Sequence, residues 1–315
     1  MKNQTMAAVA TTILMVGSAA AQGYPERVIE LVVPATPGSS ADLLGRVLAD
    51  GMGAALRQRM IVLNKPGAGG MLGTAEVARA KPDGYLLLHT AVYAMTVQPL
   101  TERQTGYTHK SFDPICQTFK NDQVIVARPN TYKNVADLLA ASKAKPGGLN
   151  YGTPGAATIP HLSMAELGQL THVEFNQVPF RGPPESIQMT AAGQIDFAVA
   201  PLTAAASSNL VMPGLFALKR NPSIPEVPTV IEQGYNVAPL SIGGLFAPAG
   251  LPAEVKKKLD DACQAAEKTE AFQRIAKNTF QPADFMADAA GFAANIAQDV
   301  EDKRKLLTAL GMVKN

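Results

Sequence analysis

The sequence predicts an α/β protein built as a clamshell: two α/β units joined by two chain crossings that form a hinge. Three observations predict it. Short strand-like apolar runs alternate with helical stripes along the chain. The alternation stops near residue 120 and restarts with a second set of similar size. The last elements are too few to form a unit alone, so they return to cover the first. A chain that leaves a unit and comes back crosses twice, here near 117–123 and 215–225. One domain is then 22–118 with 225–315, the other is 119–224, and a segment at 1–21 precedes both.

In the first unit, Val-Ile-Glu-Leu-Val-Val at 28–33 reads as a buried strand. Residues 42–56 place Leu44, Val47, Leu48, Met52 and Ala55 on one helical stripe. Strands at 60–63 and 85–88 follow, with a short helix at 74–80 between them. This order implies a parallel sheet covered on both faces. In the second unit the strands are 123–127, 149–151, 173–178 and 195–200. Helices at 135–144, 159–170 and 186–192 lie between them, the first ended by Pro146, Gly147 and Gly148. A strand at 241–247 and long helices at 253–268 and 289–310 complete the chain.

The N-terminus reads as an export signal. Lys2 is the only charge before Glu26, an apolar run spans 6–17, and Ala19, Ala20 and Ala21 stand before Gln22. The run is too interrupted to span a bilayer, which needs about 20 apolar residues. Cleavage is expected between Ala21 and Gln22. Losing Lys2 takes the formal charge from +2 to +1 (2 − 1), which gives no case for nucleic acid or an anionic membrane surface as partner. The only cysteines are Cys116 and Cys263. An oxidising compartment would permit a bridge, but spacing alone cannot place the pair within range. Both read more readily as buried small apolar residues. No CxxC pair occurs, so no metal site is expected.

Two loops carry the candidate chemistry. Pro-Ala-Thr-Pro-Gly-Ser-Ser-Ala-Asp at 34–42 joins the first strand to the first helix, with Ser39 and Asp42 at capping spacing. Tyr-Gly-Thr-Pro-Gly-Ala-Ala-Thr-Ile-Pro-His at 151–161 repeats the grammar in the second unit: strand, Gly/Thr loop, helix. Free N–H groups and the positive dipole end make a helix start a site for an anion. Ligands of parallel sheets bind outside the carboxyl ends of the strands, so the two loops are expected to face one cleft.

A third loop, Asn-Lys-Pro-Gly-Ala-Gly-Gly-Met-Leu-Gly at 64–73, partly imitates a dinucleotide fingerprint. It has Leu72 where Gly or Ala is needed, and no GK[ST] ending. A tight backbone turn is the expected role, and a nucleotide-dependent oxidoreductase using 67–73 is the competing reading. No G-x-S-x-G or H-E-x-x-H occurs, and His89, His109, His161 and His172 are scattered, so no catalytic residue is assigned. His161, in the first turn after the second loop, reads as a polar packing residue.

These loops also carry a resemblance. Tyr24-Pro-Glu-Arg-Val-Ile, the 33–42 loop, Asn64-Lys-Pro-Gly-Ala-Gly-Gly and Ala80-Lys-Pro-Asp-Gly-Tyr come first. Tyr151-Gly-Thr-Pro-Gly, His161-Leu, Val178-Pro-Phe-Arg-Gly and Gly193-Gln-Ile-Asp follow. Pro225-Glu-Val-Pro-Thr, Glu232-Gln-Gly and Gly244-Leu-Phe-Ala-Pro-Ala-Gly complete the order. Taken together, these motifs resemble the substrate-binding receptors of tripartite tricarboxylate transporters, the Bug receptor family, across the mature chain.

The resemblance implies a type II periplasmic binding-protein fold in the periplasm, with neither catalysis nor cofactor. It implies a small carboxylate ligand held by Thr36, Gly38, Ser39, Ser40 and Asp42 of the first loop and by Thr153, Gly155, Ala157 and Thr158 of the second. Tyr93, Phe180 and Ala200 would wall the cleft. A monomer is expected, with inner-membrane transporter subunits or a membrane sensor as partner. Three departures bear on the ligand. Ala200-Pro201 stands where many relatives have Asp-Asn, Ile242 where they often have Trp, and Ser39 where Gly is usual. Without an acid at 200, a dicarboxylate or aromatic carboxylate is expected rather than an amino acid.

Overall fold

The computed structural model describes residues 23–314 apart from Arg103 and Ala283. The export signal expected at 1–21 lies outside the described residues. Strands β1 (Ile29–Val33), β2 (Met60–Asn64) and β3 (Leu86–Ala91) alternate with helices α1 (Ser40–Leu56) and α2 (Met71–Ala78). Two short helices, α3 (Tyr93–Thr96) and α4 (Gln98–Thr101), precede β4 (Phe112–Lys120). The second unit contains β5 (Gln123–Ala127), α5 (Val135–Ala144), β6 (Leu149–Thr153), α6 (Ile159–Thr171) and β7 (Phe175–Pro179). It continues with α7 (Pro183–Ala191), β8 (Phe197–Pro201), α8 (Leu202–Ala205) and β9 (Val211–Phe216). Then come β10 (Ile242–Pro248), α9 (Ala253–Glu267), α10 (Glu270–Asn278) and α11 (Ala289–Ala309).

Two five-stranded sheets result, ordered β2-β1-β3-β10-β4 and β7-β6-β8-β5-β9. The expected parallel sheet is corrected to a mixed one. Strand β10 runs antiparallel to both β3 and β4, and β5 runs antiparallel to both β8 and β9. Each inserted strand arrives from the other unit, which reverses its direction. Both faces of each sheet are covered. Leu31 and Val33 pack towards α1 and α9 while Val32 packs with Val77 and Leu88. Ile125 and Ala127 lie in one cluster, Val124 and Val126 in another.

Sequence reading passed over β4 and β9. Each carries a proline, Pro114 and Pro213, which weakens a strand pattern. Each is also an edge strand, where the missing N–H can face away from the ladder. The first crossing lies between Lys120 and Gln123. The return is later than expected. Val227, Val230 and Val237 still pack in the second unit, and only Leu240 and Ile242 join the first. No regular helix marks 217–241, so nothing in its periodicity gave the boundary.

The two cysteines correct a second expectation. Cys116 on β4 and Cys263 on α9 form a disulfide, with Cα atoms 6.5 Å apart at a sequence separation of 147. It fastens the returning α9 to the edge strand of the first sheet inside the main core cluster. The two crossings are themselves joined: the Asn121 N–H donates to the Ser241 carbonyl at 2.7 Å. Beside them the buried Asn221 amide donates to the Asp122 carboxylate and to the Phe280 carbonyl, 2.9 Å each.

Candidate functional site

Both candidate loops leave the carboxyl ends of inner strands, β1 and β6, and both open helices. In the first loop Ser39 caps α1, its hydroxyl accepting from the Asp42 N–H at 3.4 Å. Asp42 is buried, and its carboxylate turns back into the protein. It accepts from the Gly38 N–H at 2.8 Å, Arg46 Nε at 3.0 Å and Asn64 Nδ2 at 2.8 Å. Burial alone would raise its pKa. The hydrogen bonds from Arg46, Gly38 and Asn64, with the Arg46 charge, outweigh that and hold it below the usual carboxylate range.

This arrangement sorts the donors. The Gly38 N–H is occupied by Asp42, and the Ser39 N–H by the Thr36 carbonyl at 3.2 Å. The N–H groups of Ser40 and Ala41, the first two of α1, take no partner among the described residues. The hydroxyls of Thr36, exposed, and Ser40, half-buried, are likewise without one. Ala41 was missed by the sequence reading because a residue without a polar side chain gives no sign of a free amide.

The second loop is sorted in the same way. Thr153 is buried, and its hydroxyl accepts from Gln177 Nε2 at 2.6 Å and from the Gly155 N–H at 3.2 Å. The Thr158 hydroxyl donates to the Gly155 carbonyl at 2.7 Å. The Ala157 N–H donates to Nδ1 of His161 at 3.2 Å. The N–H groups of Thr158, Ile159 and His161 take no partner among the described residues. Pro160 has none to offer. Each unit thus presents a short row of unpaired backbone donors at a helix N-terminus, the arrangement that receives an anionic oxygen.

The wall residues sit as follows. Tyr93, half-buried, packs against a cluster of Val97, Ala157, Ile159, Leu162 and Leu307, which joins residues of both units. Phe180 lies at the end of β7, its N–H donating to the Thr153 carbonyl at 2.9 Å. Ala200 is wholly buried, paired with Val124 and packed with Leu202. A groove of about 580 Å³ runs along the outer side of α6, and every residue lining it belongs to the second unit.

The third loop supports the first. Gly67, Gly69 and Gly70 all have positive φ, 131°, 64° and 90°. A Cβ on Gly70 would stand 3.3 Å from the Pro34 carbonyl oxygen. Asn64 donates to the Ala35 carbonyl as well as to Asp42. These glycines let the chain pass close beneath the start of the first loop. Among the described residues one trio of metal-ligating side chains is close together, Cys116, Cys263 and Glu267, but both sulfurs are in the disulfide.

Two α/β units, a double crossing and, on each unit, a helix start with unpaired backbone donors define a solute-binding protein. Solved structures agree. The chain is 28% identical to a TctC solute-binding protein from Polaromonas, with a TM-score of 0.80 over 91% of this chain and 99% of that one. It is 29% identical to the periplasmic binding protein BugD, with a TM-score of 0.74 over 93% and 100%. Two structures at 22% identity share the fold: MatC from Rhodopseudomonas palustris with bound malate, TM-score 0.74 over 90% and 100%, and an R. palustris protein with adipate, TM-score 0.78 over 92% and 99%. A Cupriavidus necator relative, the UPF0065 protein in gbd 5'region, is 33% identical over 95% of this chain and 92% of its own length. Residues 44–312 match the tripartite tricarboxylate transporter family receptor profile, and the chain belongs to that family.

Proposed function

We propose that this receptor is exported to the periplasm, where as a monomer it holds a small organic carboxylate between its two loops and presents it to membrane transporter subunits or a membrane sensor. The observation that carries this reading is the pair of unpaired donor rows, Ser40 and Ala41 on one unit and Thr158 and Ile159 on the other. Backbone donors suit a carboxylate, because they supply partial positive charge without a counter-ion. A dicarboxylate or aromatic carboxylate fits better than an amino acid. Position 200 carries Ala rather than an acid, so no carboxylate stands there to meet a ligand ammonium group. The malate and adipate held by the two structural neighbours are of the favoured class.

The protein binds and releases, and no reaction is assigned to it. The Asp42 carboxylate shapes the first loop by holding the Gly38 N–H, rather than meeting the ligand. The test is thermal unfolding of ligand-stripped protein with adipate, malate, benzoate, aspartate and glutamate. A ligand at a hundredfold excess over its Kd stabilises by about 2.7 kcal/mol. Adipate, malate or benzoate should raise Tm most. No shift with any carboxylate, or the largest shift with aspartate, would overturn the proposal.

A further inference from the structure

The second loop turns on an alanine in an unfavourable conformation. Ala157 has φ 59°, in the left-handed region that favours glycine. Its side chain is buried in a cluster that also contains Val97 and Leu307 of the first unit. Its N–H donates to Nδ1 of His161, four residues on in the first turn of α6. An imidazole nitrogen accepts a hydrogen bond only when it carries no proton. The bond therefore exists only while the ring is neutral. The next two N–H groups, Thr158 and Ile159, are the unpaired donors of this loop, so their direction depends on Ala157.

We infer that His161 is a positioning residue for ligand binding: its neutral ring fixes Ala157 and so aims the Thr158 and Ile159 donors, and its protonation releases the loop. This rests on the carboxylate reading of the site. In its groove the titratable or charged side chains are Tyr151, His172 and Glu174, with Gln169 and Gln177 neutral beside them. On the other side of α6, Glu166 feels Lys303 and Asp302 of α11. Burial pushes the His161 pKa below the ordinary imidazole value, in keeping with a ring held neutral. A depressed histidine disfavours the held state at low pH. The hold is complete above about pH 6.5, the ordinary imidazole value, and is lost as pH falls through the lowered value of the folded ring.

Two substitutions separate positioning from mere packing. His161→Asn places an amide oxygen near Nδ1 and does not titrate; His161→Ala removes the acceptor. Two readouts serve: exchange protection of the Ala157 amide in ligand-free protein by NMR, and adipate affinity by calorimetry at pH 8 and pH 5. Wild type should lose Ala157 protection, and about tenfold in affinity, between pH 8 and 5, the order of one neutral hydrogen bond. His161→Asn should keep both at either pH, and His161→Ala should lack both at either pH. Wild-type Ala157 protection in His161→Ala, or an unchanged pH profile in His161→Asn, overturns the inference. If adipate fails to bind wild type at pH 8, the receptor reading loses that ligand, while the Ala157 exchange still decides the role of His161.

Discussion

The Asp42 carboxylate accepts the Gly38 N–H at 2.8 Å and so closes the first loop on its own helix. A residue that looks from its position like a ligand contact is a brace. Replacing it with Ala removes the acceptor shared by Gly38, Arg46 and Asn64 and leaves the Gly38 N–H without one. We expect Asp42→Ala to cost about 3 kcal/mol in urea unfolding and to weaken carboxylate binding as the loop loosens. Its depressed pKa gives the sign with pH. The brace is fully present above the unfolded carboxylate value and fades as pH falls below it. Wild type should therefore lose stability below about pH 4 more steeply than Asp42→Ala.

Glu267 should act in the opposite direction. It is buried beside the disulfide, and one carboxyl oxygen has no hydrogen-bond partner among the described residues. Burial and then the Asp260 charge push its pKa up to about 8, against a smaller pull from Lys268. The folded state keeps a proton that the unfolded state has lost above about pH 4.3, so stability falls as pH rises towards 8. Glu267→Gln should be more stable than wild type by on the order of 3 kcal/mol at pH 9, with little difference at pH 4. Parallel urea curves at both pH values would sink this assignment.

The reach of the sequence can be judged residue by residue. The strand–loop–helix grammar at 34–42 and 151–161 located both helix starts, because Gly, Ser and Thr spacing reports backbone geometry locally. Which amides stay free was not legible. That depends on Asp42 and His161 folding back on their own loops, a choice made by side-chain packing. Strand β4 hid behind Pro114 and the polar Gln117 and Thr118, whose partners are Ala287, Phe285 and His89 from other elements. The Cys116–Cys263 pair was hidden by distance along the chain.

Breaking that disulfide should lower stability without touching the site. The bond ties β4 to α9, and neither cysteine belongs to the donor rows of the two loops. Cys116→Ala with Cys263→Ala should cost roughly 2–4 kcal/mol in urea unfolding and leave carboxylate affinity unchanged. An equal loss under reductant in wild type checks the cause.

Asn221 offers a test of the crossings. Its amide bridges Asp122 and the Phe280 carbonyl, and the side chain is fully buried. Asn221→Ala should destabilise by about 2–3 kcal/mol, since the buried Asp122 carboxylate and the Phe280 carbonyl lose their donor. Small-angle scattering should then show a broader spread of shapes in ligand-free protein, with the ligand-bound profile unchanged.

The bond from the Asn121 N–H to the Ser241 carbonyl has a mechanical consequence. Two crossings tied together form a narrow ribbon, and a ribbon bends about one axis far more easily than it shears or twists. Opening and closing would then follow a single arc. The amide rows of α1 and α6 would return to the same mutual alignment on every cycle, so the grip on a ligand is set by the track as well as by the jaws.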